Sequence, residues 1–344
     1  MPPVNAYRLS VLIVNYNSWP DTRRLVDELT SSGEVAAGAV EILVVDNASA
    51  ELAPPELAAS RPGVRLVERE DNGGFAVGVN AGWRLARAPW LLVLNPDVVT
   101  PPGFLSNVLE RIRHYESLAE PPGIVGYALK NPDGSSQGSI GTFPSFPRVV
   151  YEQFIPRSRR KYQAGSGPGK QVVDWVTGAC MLVSSGLLGQ IGGMDEDFFL
   201  YHEEVALCRS ANRAGWRVEF DPSVEVMHRD PLQNRALSPK MRLITRHSKL
   251  LYFRKHLPRW QFLAISWVVS AESGWNRLWS APFGSAELRR SWAAIGEVSR
   301  SMRGGADLRG PAVRRMAEAL SGRDKPTDEE ARIPPDPAIT RKPG

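Results

Sequence analysis

Short, continuously apolar runs recur along the first hundred residues and alternate with stretches of helical spacing. Leu9 to Val14 (LSVLIV) predicts a strand rich in β-branched side chains. In Pro20 to Leu29 the residues Leu25, Val26 and Leu29 share one helical face. Glu41 to Val45 and Val64 to Val67 read as two further strands. Phe75 to Ala88 reads as a helix with Gly78 and Gly82 for close packing, and Trp90 to Leu94 as a fourth strand. Thr100 before Pro101-Pro102 predicts an N-cap with proline in the first turn of the next helix. Strands that are apolar throughout and alternate with helices predict a parallel sheet covered on both faces.

After about residue 120 the pattern changes. Asn131 to Gly134 is a turn, and the basic, Gly/Ser-rich stretch 157–170 reads as a mobile loop. Val172 to Val183 holds a strand, Glu203 to Ala214 a helix stopped by Gly215, and Val224 to His228 a last short strand. Ser238-Pro239 can start a helix running through His256, with Leu243, His247, Leu250 and Leu251 on one face. Trp260, Trp267, Trp275 and Trp279 follow. Beyond Asp324 the chain is charged and Pro-rich, and reads as disordered.

Composition adds limits to this picture. The 344 residues are 42% hydrophobic and 23% charged, enough for a sizeable core, and the net charge is +5. The charge is uneven. Residues 229–260 carry nine Lys or Arg against Asp230 alone, so the rest of the chain sums to about −3. Two cysteines, Cys180 and Cys208, make no disulfide framework and suggest a reducing compartment. The N-terminal apolar run is too short for a signal peptide, and no run reaches the roughly 20 residues that span a bilayer. The expectation is a cytoplasmic protein, soluble or peripheral at the inner face of the plasma membrane.

Ligands of parallel α/β sheets bind beyond the carboxyl ends of the strands. Here four strand ends are polar: Asn15-Tyr16-Asn17, Asp46-Asn47, Asp71-Asn72-Gly73-Gly74 and Asn95-Pro96-Asp97. Together they suggest a site for a base, a ribose and a metal-bound phosphate. A dinucleotide-binding oxidoreductase would need G-x-G-x-x-G directly after the first strand, and no glycine stands there.

The alternative is a sugar-nucleotide transferase. The blocks LSVLIVNYN, EILVVDNAS, DNGGFAVGVNAGW, VLNPDVV, TGACMLV, IGGMDEDFFLYHEEVALC, RAGWRV and VMH occur in an order that resembles glycosyltransferase family 2, its rhamnosyltransferase branch in particular, over roughly residues 8 to 230. The resemblance implies a GT-A fold: a mostly parallel nucleotide-binding sheet flanked by helices, fused to an acceptor-binding half. It implies an inverting transferase that depends on a divalent metal, Mg²⁺ or Mn²⁺. It places Asp97 and His228 as metal ligands, with Asn95 at the degenerate first position of the metal motif. It places Asn15, Asn17, Asp46, Asn47, Asn72, Gly73, Gly74 and Asn80 on the donor side. Trp175, Thr177, Gly178 and Asp195 fall in blocks near the acceptor. The base would be Glu204, with Glu203 as alternative base or acceptor contact. The family usually has Asp where Glu204 stands and a further Asp where this chain has Ala206, which keeps a non-catalytic sugar-nucleotide- or glycan-binding homologue in view. The donor implied first is dTDP-rhamnose, then a UDP-sugar, and the acceptor a cell-surface glycan or polyprenyl-diphosphate-linked saccharide.

The implied domains are 1–230, divided into a nucleotide-sugar half (8–120) and an acceptor and catalytic half (121–230), then a basic, Trp-rich helical extension (231–323) and the tail (324–344). Residues 238–280 fit either an anionic membrane surface or a cap on the catalytic domain. No recognition motif accompanies the basic charge, so no nucleic acid is expected.

Overall fold

The computed structural model describes residues 7–58, 61–152, 169–230, 237–280 and 285–320. The loop expected at 157–170 lies almost entirely outside these residues, and the expected tail lies wholly outside them.

The first part alternates strands and helices: β1 (Leu9–Asn15), α1 (Trp19–Thr30), α2 (Gly33–Ala36), β2 (Val40–Asp46), α3 (Pro55–Ala58), β3 (Val64–Glu68), α4 (Phe75–Trp83), β4 (Trp90–Leu94), β5 (Val98–Val99) and α5 (Phe104–Glu116). The second is richer in short strands: β6 (Ile124–Lys130), β7 (Ser136–Gln137), β8 (Ile140–Gly141), α6 (Phe146–Glu152), β9 (Gln171–Val172), β10 (Trp175–Val176), β11 (Cys180–Ser184), α7 (Ser185–Ile191), α8 (Glu203–Arg213) and β12 (Val218–His228). Among the described residues four helices follow: α9 (Pro239–His256), α10 (Arg259–Ser280), α11 (Ala286–Arg303) and α12 (Gly310–Ala319).

The main sheet runs β3-β2-β1-β4-β11-β6-β12-β5. Its first four strands are parallel. From β4 onward the pairing is mixed: β11 is antiparallel to both β4 and β6, and β12 is parallel to β6. Alternate side chains of each strand enter opposite cores. Leu12, Val14, Leu43, Val45, Leu91 and Val93 join one apolar cluster with α4 and α8 to α12. Leu9, Val11, Ile13, Ile42, Val44, Leu92 and Leu94 join the other with α1 and α5. Both faces are therefore buried, and this is why the strands read as unbroken apolar runs. A Cβ at Gly78 or Gly82 would collide with Val14 or Leu12, so α4 lies close against β1.

Three expected boundaries move. Thr100 does not cap α5: its backbone N–H and hydroxyl donate to Glu28 Oε2 at 3.0 and 3.2 Å, and Gly103 caps the helix at φ +76°. The Pro101-Pro102 pair therefore lies in the preceding turn. α4 ends at Trp83 rather than Ala88; the N–H groups of Leu85 and Ala86 bond three residues back, which tightens the chain before Ala88-Pro89. The last strand begins six residues early, at Val218, and runs through an irregularity between Asp221 and Glu225. The span 172–183 contains the end of β9, all of β10 and most of β11. As expected, Ser238 caps α9 by accepting from Met241 N–H.

Candidate active site

β1 pairs with β2 on one side and β4 on the other, so the strand order reverses at β1. Such a switch point opens a crevice at the carboxyl ends of the strands. Asn15, Asp46 and Asn95 stand at these ends.

Two hydrogen-bonded networks shape the strand ends expected on the donor side. Asn15 Nδ2 donates to Asp46 Oδ1 (2.9 Å) and Ser49 Oγ (3.0 Å), and its Oδ1 accepts from Thr22 (2.7 Å). Asn15 is thus fully used in tying β1 to β2. Asn17 accepts from Ala50 N–H at 2.7 Å. In the second network Asn47 Nδ2 donates to Asn72 Oδ1 (2.9 Å) and to the Gly74 carbonyl (3.0 Å), while Asn72 also accepts from Gly74 N–H (3.0 Å). Asn47 Oδ1 is buried without a partner among the described residues. Gly74 has φ +96° and lies against the Phe199 carbonyl, where any Cβ would clash; Phe75 N–H donates to that same oxygen at 3.0 Å. A side chain is excluded at Gly74 both by backbone conformation and by space.

Asn80 is turned away from these networks. Its amide donates to Met194 O and Glu196 Oε1 and accepts from Met194 N–H, each at 2.8 Å, so it fastens α4 to the segment before α8.

A cleft of about 250 Å³ opens beyond β4 and β12. Its lining includes Asn95, Asp97, His228 and Asp230 together with Leu200, Tyr201, Glu203 and Glu204. Thr177, Gly178 and Ala179 form another part, with Gln137, Gly138 and Phe75 closing the rest. β5 pairs antiparallel with β12, opposing Val98 to His228, and so carries Asp97 beside the imidazole. His228 Nε2 lies 3.3 Å from Asp97 Oδ2. Its Nδ1 is 3.0 Å from Gln137 Nε2, and Gln137 Oε1 is buried with no partner among the described residues.

Glu203 and Glu204 begin α8 and are buried. The two residues before them, Tyr201 and His202, have φ of +68° and +67°. Among the described residues only Asn17 and Ala48 are other non-glycine residues with positive φ, and they follow β1 and β2. Such strain persists where the surroundings hold it, and it gathers at functional sites. Ala206 is packed in the apolar cluster of the α8 face, so its position offers no polar group to the cleft.

Of the expected acceptor-side residues, Thr177 and Gly178 line the cleft, while Trp175 and Asp195 do not. Trp175 is a core residue whose indole N–H donates to the Thr142 carbonyl at 3.0 Å. Asp195 receives Lys255 Nζ at 2.8 and 2.7 Å, and Asp197 receives it at 2.5 Å, anchoring α9 to the loop before α8.

Residues 10–183 match the model of glycosyl transferase family 2. The chain belongs to glycosyl transferase family 2. It is a glycosyltransferase, and its α/β architecture is of the GT-A type. It is 29% identical over 318 residues to an N-acetylglucosaminyl-diphospho-decaprenol L-rhamnosyltransferase of Mycobacterium tuberculosis, covering 86% of this chain and 95% of the relative. It is 27% identical to the low-salt glycan biosynthesis hexosyltransferase Agl10 of Haloferax volcanii, covering 78% and 82%. Among solved structures it is similar to the mannosyltransferase PcManGT of Pyrobaculum calidifontis in complex with GDP-Man and Mn²⁺, with a TM-score of 0.47 and 18% identity over 92% of this chain and 87% of the other.

Gln137, Phe75, Leu200 and Tyr201 join the lining without having been singled out in the sequence. Gln137 sits two strands away from β11 in space and ninety-one residues before His228, and nothing local in the hairpin sequence marks it. The paired positive φ values at Tyr201 and His202 likewise carry little sequence signal: histidine is among the residue types enriched in that conformation, but tyrosine is not.

Proposed function

We propose that this glycosyltransferase moves a sugar, rhamnose first, from a nucleoside diphosphate to a hydroxyl of a polyprenyl-diphosphate-linked saccharide, with inversion. The observation that carries the reading is that Asp97, His228, Glu203 and Glu204 line one and the same cleft. The name of the mycobacterial relative specifies rhamnosyl transfer to a decaprenol-diphosphate-linked acceptor, and the likeness extends over nearly all of that protein.

Asp97 and His228 fit a divalent cation shared with a substrate. Among the described residues no group of three or more acidic, His or Cys side chains is placed to hold a metal by itself. Two protein ligands suffice where diphosphate oxygens and water complete the shell. One carboxylate with one imidazole favours Mn²⁺ over Mg²⁺. Bound there, the cation would offset the charge gathering on the departing diphosphate.

The chain's own residues do the rest. Asn47, with a buried carbonyl oxygen that has no partner among the described residues, supports recognition of an N–H on the base. Glu204 takes the proton from the acceptor hydroxyl as that oxygen attacks the anomeric carbon, and the bond from that carbon to the diphosphate breaks on the opposite face. Glu203 contacts the acceptor or takes that proton in place of Glu204. The left-handed turn at Tyr201-His202 sets where α8, and with it the Glu203-Glu204 pair, begins.

A thermal-shift panel of dTDP-rhamnose and UDP-sugars, each with and without Mg²⁺ or Mn²⁺, tests this. The expected result is a rise in Tm with one donor that requires the metal and disappears in Asp97→Ala. A donor shift that is metal-independent, or unchanged in Asp97→Ala, would contradict the metal assignment. No response to any nucleotide sugar would contradict the donor class.

A further inference from the structure

α10 is apolar on two opposite sides. Phe262, Ile265 and Val269 are buried in the core shared with α9 and α11. On the other side Trp260, Trp267, Trp275 and Trp279 are 56, 62, 64 and 67% exposed, with Val268 and Leu278 also open to solvent. At about 100° per residue these six side chains fall within about 120° of arc along a helix roughly 33 Å long. A helix apolar all round belongs in a protein core or in lipid. The four indoles alone expose on the order of 500 Å², comparable to the largest patch a typical monomer shows, and such patches mark interaction sites.

The ridge continues onto α6. Phe146 meets Trp260 edge to face with ring centres 6.2 Å apart, and Val150 and Tyr151 on the same helix are exposed.

Charge on α10 itself is mainly positive. It carries Arg259, Arg277 and one acidic residue, Glu272, which Arg246 of α9 meets at 2.5 Å. Arg259 and Arg277 on α10 have no acidic partner among the described residues. The Arg303 guanidinium lies 3.8 Å from the centre of the Trp267 ring. Among the described residues no helix is long and apolar enough to cross a membrane.

We propose that this ridge is a membrane-docking face: α10 lies in the plane of an anionic lipid surface, its indoles at the level of the headgroups and its arginines on lipid phosphates. Tryptophan suits that depth because one part of the ring is apolar and its N–H seeks a polar partner. A second copy of this chain fits less well, since a two-fold contact would set the same basic rim against itself. The inference stands on the surface alone, whatever the donor and acceptor.

Flotation of the purified full-length protein with phosphatidylcholine vesicles, with and without phosphatidylglycerol, tests it. The expected result is binding about tenfold or more tighter to the anionic vesicles, reversed by salt and accompanied by a blue shift of tryptophan emission. The triple variant Trp275→Ser, Leu278→Ser, Trp279→Ser changes only exposed side chains. It should lose at least about tenfold in vesicle binding while keeping the wild-type Tm and donor-induced thermal shift. Equal binding to both vesicle types, no binding to either, or a triple variant that binds like wild type would overturn the proposal. So would a dimer, seen by light scattering, that the triple variant abolishes without any vesicle binding.

Discussion

Asp97 and His228 reach one point from strand ends far apart in sequence, and only the pairing of β5 with β12 explains how. Asp97 was legible in the chain because it follows an unbroken apolar strand and a proline, where a sheet presents its ligands. His228 at the end of β12 entered only through the family resemblance, since a lone histidine at a strand end carries no such signal by itself. Gln137 was not legible, because its role depends on β7 folding back beside β6, next to β12. Two arrangements of the Gln137–His228 pair exchange one hydrogen bond. With Gln137 Nε2 donating to Nδ1, the imidazole proton sits on Nε2, toward Asp97. With the amide reversed, Gln137 Oε1 gains its missing partner in an Nδ1 proton, and Nε2 is freed to ligate a cation. Gln137→Leu should therefore weaken Mn²⁺ binding by about 10- to 100-fold. Electron paramagnetic resonance of free Mn²⁺ would measure this, and Gln137→Glu should recover part of the loss. Unchanged affinity in Gln137→Leu would remove it from this role.

At the scale of elements, the helix periods were read correctly more often than the helix ends. Apolar spacing located α1, α4, α8 and α9, but the start of α5 was misplaced because Thr100 bonds to Glu28, a partner seventy-two residues away. The asparagines were also read for type more than for direction: Asn15 at the end of β1 and Asn80 on α4 have their amides bonded within the scaffold. α9 carries a pH-sensitive weakness. His247 is fully buried and its Nε2–H donates to the Leu308 carbonyl at 2.8 Å; burial pushes its pKa down to about 4. The unfolded chain therefore binds a proton between about pH 6.5 and pH 4 that the folded chain does not. Stability from this group is complete above that window and falls as pH drops through it, by up to about 3 kcal/mol. Urea titrations near pH 7 and near pH 5 should show His247→Gln flattening this loss, since glutamine can still donate to Leu308 without titrating; an unaltered pH dependence would refute the assignment.

At the scale of the whole molecule, the helical extension and the sheet share one apolar cluster, from Val14 and Met181 through Val205 to Leu251, Ile295 and Val313. The sequence showed the extension's basic and aromatic character, but not that it completes the core, because that depends on long-range packing. It also reaches the turn expected on the donor side, where Arg314 on α12 donates to the Asn72 carbonyl at 2.5 Å. Gly310 N–H donates to the Asp197 carbonyl at 2.8 Å in the segment before α8. Arg314→Ala should loosen the Asn72–Gly74 turn and raise the donor KM several-fold with little change in kcat. A loss confined to kcat would contradict that role.

The most direct test of the proposed site is sugar transfer by Glu204→Gln at saturating donor, with donor binding measured on the same preparation. Glutamine keeps the shape of the side chain and removes its ability to take a proton. Metal-dependent donor binding should persist while transfer falls by about 10²- to 10⁴-fold. Transfer at the wild-type rate would show that the base lies elsewhere.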